Sequence, residues 1–257
     1  MLIDTHCHLD FKEFDIDRDK IIGQCLNPSN SSEQVWIINV GVDCESSKKV
    51  IELAEKYDKG LYATIAIHPH NVEKDTFNAN KLKEMAKSKK VVGVGETGLD
   101  YLFCENDENI HKLQEKVFIQ HLELAKDLEK PIIFHNRKLF PEMLEIVKEH
   151  PGIRGVVHCY MGRWSYAKEY LDLGFYLSFT GLITYARDYD KVIKNTPLER
   201  ILIETDAPEL TPDPYRGKRN EPKYVELVAK KIAEIKEISF EKVASQTTKN
   251  AKKLFNL

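Results

Sequence analysis

Short apolar runs alternate with helical patterns along the whole chain. Each run holds several consecutive residues rich in valine, isoleucine, leucine and phenylalanine, as in the buried strands of a parallel sheet. We predict eight strands: Leu2–Thr5, Val35–Val42, Tyr62–Ile67, Val91–Glu96, Pro131–His135, Arg154–His158, Phe175–Phe179 and Ile201–Asp206.

Between these runs, apolar residues recur with the period of an amphipathic helix. From Ser46 to Tyr57, for example, Val50, Leu53 and Ala54 share one face. The same spacing predicts helices from Leu113 to Leu128, over Leu139–Val147 and over Tyr224–Ile235. The alternation predicts an α/β fold with a parallel sheet, and eight units favour closure into a single (β/α)8 TIM barrel. An open doubly wound sheet is the alternative.

We expect one domain over residues 1–257, because no linker divides the chain. This length is typical of a single α/β barrel. The two most irregular stretches, Gly98–Asn109 and Thr211–Asn220, follow the fourth and eighth predicted strands. We expect both to be loops that contact a substrate, since functional residues concentrate on such loops.

The composition is that of a globular protein, with 42% hydrophobic and 31% charged residues. A net charge of −3 argues against a broad nucleic-acid-binding surface, but bound divalent ions could still create a local anion site. Five scattered cysteines without a CxxC pair predict a reducing, cytoplasmic setting. We expect neither a signal peptide nor a membrane segment, because no apolar run approaches the ~20 residues that span a bilayer.

Candidate metal ligands stand at the ends of several predicted strands. They are His6, His8, Glu96, His135, His158 and Asp206. Because parallel strands of a barrel end at the same rim, we expect these imidazoles and carboxylates to meet in one metal site at the C-terminal rim. Such a site indicates metal-assisted hydrolysis. For any one histidine taken alone, a packed or exposed ring without a metal is the alternative.

The alternation of side chains along a strand assigns roles within the first motif, residues 4–8. His6 and His8 share one face and can both point to the barrel mouth, whereas Cys7 points the other way. Asp4 lies on the histidine face, and we expect it to orient the His6 ring. By the same alternation, Cys159 should face away from the site.

The acidic residues of the set have distinct predicted roles. Glu96 has two carboxylate oxygens and can bridge two cations, which two-metal hydrolases hold roughly 3.5–4 Å apart. Asp206 can bind one metal and accept a proton from the attacking water. Glu204 shares the parity of Asp206 and is either a partner of a ligand or a charge paired inside the barrel.

Two histidines after the third strand are candidates for substrate contact. His68 and His70 flank Pro69, which stiffens this turn. Either ring can hydrogen-bond a substrate oxyanion or protonate a leaving group. An exposed loop histidine without such a role is the alternative.

Basic residues near the predicted rim are candidates for phosphate contact. Arg137 lies just beyond the fifth strand, and Arg216, Lys218 and Arg219 cluster in the loop 214–220. The guanidinium group offers a planar fork that matches phosphate oxygens. A solvated surface cluster is the alternative for the loop residues.

Taken together, these motifs resemble the TatD family of metal-dependent deoxyribonucleases, within the amidohydrolase-like barrels. The segments that carry the resemblance are DTHCHLD (4–10), AIHPH (66–70), GETGLDY (95–101), PIIFHNR (131–137), GVVHCY (155–160), ETDAP (204–208) and PYRGKRNEP (214–222). They span nearly the whole chain.

The resemblance implies a (β/α)8 barrel with two divalent ions, and catalytic roles for Asp206, Glu96 and His70. One ion would be held by His6, His8, Glu96 and Asp206, and the other by Glu96, His135 and His158. His70 would contact the scissile phosphate. The expected reaction is metal-dependent hydrolysis of DNA phosphodiester bonds, often from the 3′ end.

Some positions depart from the usual family pattern, and they leave the substrate open. Lys138 and Met161 stand beside the expected pocket, and Glu209 replaces a frequent aromatic residue that could stack on a base. We expect single-stranded or frayed DNA as the substrate. An ester or amide hydrolase, for example one acting on aminoacylated tRNA, is the first alternative, and a binding protein without turnover is the second. Zinc, magnesium and manganese all suit the ligand set.

Overall fold

Eight parallel strands form the barrel that the sequence predicts. The structure is a computed structural model that describes residues 1–28, 33–104 and 107–257. The strands are β1 Leu2–Cys7, β2 Val35–Val40, β3 Leu61–Ile65, β4 Val91–Leu99, β5 Ile132–Asn136, β6 Gly155–Val157, β7 Tyr176–Phe179 and β8 Ile201–Ile203. They pair in chain order, always in parallel, which confirms the (β/α)8 TIM barrel.

Helices cover the barrel between successive strands. They are α1 Arg18–Leu26, α2 Cys44–Glu55, α3 Ala79–Met85, α4 Glu108–Asp127, α5 Phe140–Glu149, α6 Trp164–Asp172, α7 Asp190–Asn195, α8 Val225–Lys236 and α9 Phe240–Phe255. Aspartate side chains cap two of them: Asp43 accepts the Ser46 amide at the start of α2, and Asp107 accepts the amides of Asn109 and Ile110 at the start of α4. The four helical segments predicted from periodicity correspond to α2, α4, α5 and α8.

Four predicted strands end earlier than expected, at the rim that carries the ligands. Strand β2 ends at Val40, β3 at Ile65, β6 at Val157 and β8 at Ile203. Cys159 (φ 42°), which follows β6, and Asp206 (φ 59°), which follows β8, have left-handed backbone conformations. The chain therefore turns there instead of continuing extended. Several candidate ligands therefore lie just past a strand.

Strand β4, in contrast, extends beyond its predicted end, to Leu99. The expected loop Gly98–Asn109 therefore consists of the end of β4, a 3-10 turn at Tyr101–Cys104 and the start of α4. Its residues 105–106 lie outside the described residues. The stretch Gly93–Gly98 has the GxGxxG spacing of a dinucleotide-binding turn, yet it lies inside β4.

The barrel closes where the segment after β8 meets β1. The Asp206 amide donates to the His6 carbonyl and the His8 amide donates to the Ala207 carbonyl, both at 2.8 Å. The fully buried Asp4 carboxylate accepts the Thr205 hydroxyl at 2.5 Å and the Thr205 amide at 2.9 Å. Burial raises the pKa of Asp4 well above its usual value, and these hydrogen bonds offset part of that effect.

We predict that Asp4→Ala lowers the free energy of unfolding by about 2 kcal/mol, because it removes the two hydrogen bonds from Thr205 that join β1 to the segment after β8. Asp4→Asn keeps an acceptor oxygen and should lose less. Urea unfolding of both variants in the presence of a chelator measures the difference. An Asp4→Ala protein as stable as the unchanged chain would contradict this account of closure.

Candidate metal centre

The candidate ligands converge at the C-terminal rim of the barrel. In four overlapping triads the ligand atoms lie within 4.8 Å of one another. The triads are His6, Glu96 and His158; His6, His8 and Asp206; His68, Glu96 and His135; and His70, Asp100 and His135. All six residues predicted as ligands thus meet in one cluster, and His68 joins them.

Glu96 lies at the centre of the cluster and is only 3% exposed. Its Oε2 atom faces the first strand, at 3.3 Å from His6 Nε2 and 3.8 Å from His8 Nε2. Its Oε1 atom faces the other side, at 2.5 Å from His135 Nδ1 and 3.6 Å from His158 Nε2. The two oxygens of one carboxylate therefore serve two separate sets of imidazoles.

Asp206 completes the first set. Its Oδ1 atom lies 3.5 Å from His8 Nε2 and 3.7 Å from His6 Nε2, while its Oδ2 atom lies 4.0 Å from His158 Nε2. The backbone at this residue is left-handed (φ 59°). About a fifth of the side chain (19%) is exposed, so Asp206 borders both the cluster and the solvent.

The outer ring nitrogens of His8 and His158 each lie beside a polar group that orients the ring. His8 Nδ1 lies 3.0 Å from the Val40 carbonyl, and His158 Nδ1 lies 2.8 Å from Glu204 Oε1. The Val40 carbonyl requires an N–H on His8 Nδ1, so Nε2 of the neutral His8 ring carries a lone pair that points at Glu96 and Asp206. The contact of His158 with Glu204 is an ion pair without hydrogen-bond alignment among the described residues. This arrangement fits a divalent cation. Glu204 is therefore the partner of a candidate ligand, one of its two predicted roles.

His6 has a different environment. Among the described residues its buried Nδ1 atom has no hydrogen-bond partner, and its ring stacks on His158 with centroids 3.7 Å apart. The expectation that Asp4 orients this ring is wrong. The Asp4 carboxylate instead contacts Thr205 and, at 3.3 Å, the backbone amide of His6.

His68 is in the other tautomer. Its Nδ1 atom accepts the His70 amide at 3.2 Å, so the neutral ring carries its proton on Nε2. That N–H group points at His135 Nδ1 (3.3 Å) and Glu96 Oε1 (3.6 Å). Burial lowers the pKa of His68 to about 4, which keeps the ring neutral. His68 thus directs an N–H group at the cluster, and the substrate contact predicted for it stays a prediction.

Charges within the cluster compensate one another. Burial raises the pKa of Glu96, but the surrounding imidazoles outweigh burial and hold it well below its usual value. Burial lowers the pKa of His135 and His158, yet neighbouring carboxylates raise them to about 9 and about 10. Without a cation, these two rings carry the protons that balance Glu96 and Asp206.

Asp100 is a member of the site that the sequence analysis missed. Its Oδ2 atom lies 2.8 Å from His70 Nε2 and 3.3 Å from His135 Nε2, so one carboxylate holds both rings. Although burial raises the pKa of Asp100, hydrogen bonds from these rings outweigh it and lower that pKa. The buried Gln114 side chain accepts the Asp100 backbone amide at 2.9 Å and donates to the Asp100 backbone carbonyl at 3.2 Å, which fixes the backbone of Asp100. The sequence signal for Asp100 was its position within the motif GETGLDY, residues 95–101.

A pocket of about 230 Å³ opens beside the cluster. Its lining includes His135, His158, Asp206, the exposed Arg137 and Glu209. Arg137 is therefore beside the cluster, as predicted.

Cys159 also lines this pocket, so the expectation that it faces away from the site is wrong. Strand alternation ends at Val157, and the left-handed turn at Cys159 changes the direction of its side chain.

The basic residues of the loop 214–220 have different environments. Arg216 is exposed and lies over the Tyr185 ring at 4.1 Å, and Lys218 is also exposed. Arg219 instead donates to Asp17 at 2.7 and 2.9 Å and to Glu221 at 3.3 Å. Because its guanidinium is occupied by these carboxylates, its contacts argue against the predicted phosphate-binding role.

In the part of the chain that the structure describes, no helix has the length and apolar character needed to cross a membrane.

Comparisons with known proteins point to one family. A family model described as "TatD related DNase" matches residues 3–256. YabD of Bacillus subtilis, described as an uncharacterized metal-dependent hydrolase, is 40% identical, with full coverage of both chains. YcfH of Escherichia coli K12, described in the same words, is 32% identical over 100% of this chain and 96% of that protein.

A solved structure agrees with the sequence matches. The crystal structure of YjjV, a TatD homolog from Escherichia coli K12, superposes with a TM-score of 0.88 at 30% identity. The match covers 100% of this chain and 98% of YjjV.

We predict that divalent metal binding releases protons. His135 and His158, with pKa values of about 9 and about 10, are protonated at neutral pH and must lose those protons before they coordinate. Binding near pH 7 should therefore release about two protons, and affinity should rise with pH until about pH 10, where His158 has also lost its proton. Calorimetry of Mn²⁺ binding in buffers of different ionisation enthalpy counts the protons. Binding without proton release, or affinity that falls as pH rises, would contradict this charge assignment.

We also predict that Glu204→Gln weakens metal binding at least about tenfold, because it removes the charge that supports the His158 ring. Glu209→Gln is the matched control, since this exposed carboxylate also lies near the pocket. Titration with Mn²⁺ or Zn²⁺ measures both variants. Equal affinities for the two variants would mean that Glu204 does not support His158.

Proposed function

Since the chain belongs to the TatD family of metal-dependent hydrolases, we propose that it is a deoxyribonuclease that uses two divalent cations. The observation that carries the proposal is the placement of Glu96, whose two oxygens face two different sets of imidazoles. A carboxylate shared in this way suits the spacing of roughly 3.5–4 Å found in two-metal hydrolases. The expected product is a nucleotide released by hydrolysis of a phosphodiester bond.

The residues divide into two candidate ligand sets that share Glu96. The first set is His6, His8, Glu96 and Asp206, and the second is Glu96, His135 and His158. Imidazole ligands suit zinc, and the carboxylates together with a phosphate substrate suit magnesium or manganese. When bound, such ions polarise the phosphate and lower the pKa of water.

Asp206 has the properties of a general base. The imidazoles of His158, His8 and His6 outweigh burial and lower the pKa of Asp206, so its carboxylate is ionised at neutral pH. It borders the pocket, where a water molecule and a substrate could approach. We therefore assign Asp206 the proton taken from the attacking water.

Other side chains would position the phosphate. His70, held through Nε2 by Asp100, stands next to the second ligand set and is the proposed contact of the scissile phosphate. Arg137 lines the pocket and offers a guanidinium fork to phosphate oxygens. Arg216 and Lys218 are exposed, and we propose that they bind phosphates farther along the strand.

The size of the pocket supports a flexible substrate. At about 230 Å³ it is smaller than the ~300–1,000 Å³ typical of small-molecule sites, so a single chain end suits it better than an intact duplex. We propose single-stranded or frayed DNA, digested from the 3′ end. The sequence has five cysteines, an odd number, and no CxxC pair. This cysteine content supports a cytoplasmic location for the activity.

We predict that the metal-free protein regains cleavage of 3′-labelled single-stranded DNA on addition of Mg²⁺, Mn²⁺ or Zn²⁺. Asp206→Ala should lower kcat by about 10²-fold or more, the range expected for loss of a general base. Asp172→Ala is the matched control, because this exposed carboxylate lies at the end of α6.

Gel analysis of the products and a parallel panel of carboxylic esters and aminoacylated tRNA identify the bond that is hydrolysed. Hydrolysis of the panel without DNA cleavage would favour the ester or amide hydrolase. DNA cleavage that Asp206→Ala leaves intact would contradict the proposed mechanism.

A further inference from the structure

A half-exposed aromatic side chain stands at the edge of the metal centre. Phe103, in the 3-10 turn after β4, is 55% exposed, and its neighbour Leu102 is 45% exposed. Of the large apolar side chains that the described residues expose, the only other aromatic one is Tyr215, which already stacks on Tyr224 with centroids 4.6 Å apart. Phe103 therefore needs an explanation other than packing.

One face of the Phe103 ring is covered by a residue of the site. The ring stacks on His70 with centroids 4.0 Å apart and an interplanar angle of 16°. The Phe103 amide also donates to Asp100 Oδ1 at 3.3 Å, and Asp100 holds His70 and His135. The turn and the metal centre are thus one connected structure, and Phe103 lies next to the proposed phosphate contact.

The turn that carries Phe103 is held in place on its other side. Tyr101 stacks on His111 with centroids 3.9 Å apart, and its hydroxyl lies 2.5 Å from Glu115 Oε1. His111 Nε2 lies 2.9 Å from the Cys104 carbonyl. These contacts to α4 present the Phe103 ring at the rim in a defined orientation, which lowers the entropic cost of binding a ligand there.

From these contacts we infer that the open face of Phe103 stacks on a nucleobase next to the scissile phosphate. This inference rests on the proposed nuclease function. An aromatic ring accepts any base, because every base has a π-face, and such stacking adds affinity without reading sequence. The alternative is that Phe103 only supports the His70 ring.

Three variants and three substrates distinguish these roles. The variants are Phe103→Ala, Phe103→Trp and, as the matched control, Leu102→Ala on the same turn. The substrates are a single-stranded oligonucleotide and two copies that carry an abasic residue at the last or at the penultimate position from the 3′ end. Circular dichroism and thermal unfolding verify that each variant is folded, and steady-state kinetics give KM and kcat separately.

We expect Phe103→Ala to raise KM for the intact oligonucleotide about tenfold, within the range of base–aromatic stacking, with kcat little changed. The difference from the unchanged protein should disappear on one of the two abasic substrates. Phe103→Trp should retain a low KM, and Leu102→Ala should resemble the unchanged protein.

Several results would overturn the inference while leaving the nuclease function intact. They are an unchanged KM in Phe103→Ala, a defect of equal size on all three substrates, and an equal, base-dependent defect in Leu102→Ala. A defect of equal size on all substrates would assign Phe103 to the support of His70. Failure of the unchanged protein to cleave any oligonucleotide would instead overturn the proposed function itself.

Discussion

The site depends on one buried carboxylate. Burying an ionised glutamate costs several kcal/mol unless opposite charge compensates it, and Glu96 is almost completely buried. His135 and His158 provide that compensation as protonated rings in the absence of cations, and imidazoles are also groups that bind divalent cations. The protonated rings supply the positive charge that stabilises the folded site without a metal. A bound metal would replace that positive charge.

The barrel brings these groups together from distant parts of the chain. Because its parallel strands all end at one rim, side chains at or just beyond β1, β4, β5, β6 and β8 share a small volume. Beyond β6 and β8 the backbone turns, with left-handed conformations at Cys159 and Asp206. A second set of contacts then sets the orientation of the rings: the Val40 carbonyl and the carboxylates of Glu204 and Asp100.

The barrel and the identity of the candidate ligands were predictable from the sequence, because apolar runs mark strands and each run is followed by a polar group. The contacts that orient these groups were not predictable. Asp100 meets His70 and His135 only after folding, and Arg219 pairs with Asp17 across 202 positions of the chain. Alternation along a strand failed for Cys159 because the strand ends before it, and for Asp4 because shared parity does not specify a partner.

X-ray diffraction from crystals soaked in Mn²⁺, recorded at a wavelength where manganese scatters anomalously, tests the central claim most directly. The account predicts two anomalous peaks roughly 3.5–4 Å apart, with one oxygen of Glu96 bound to each. A single peak, or peaks that lie away from Glu96, would contradict the assignment of this carboxylate as the bridge between two cations.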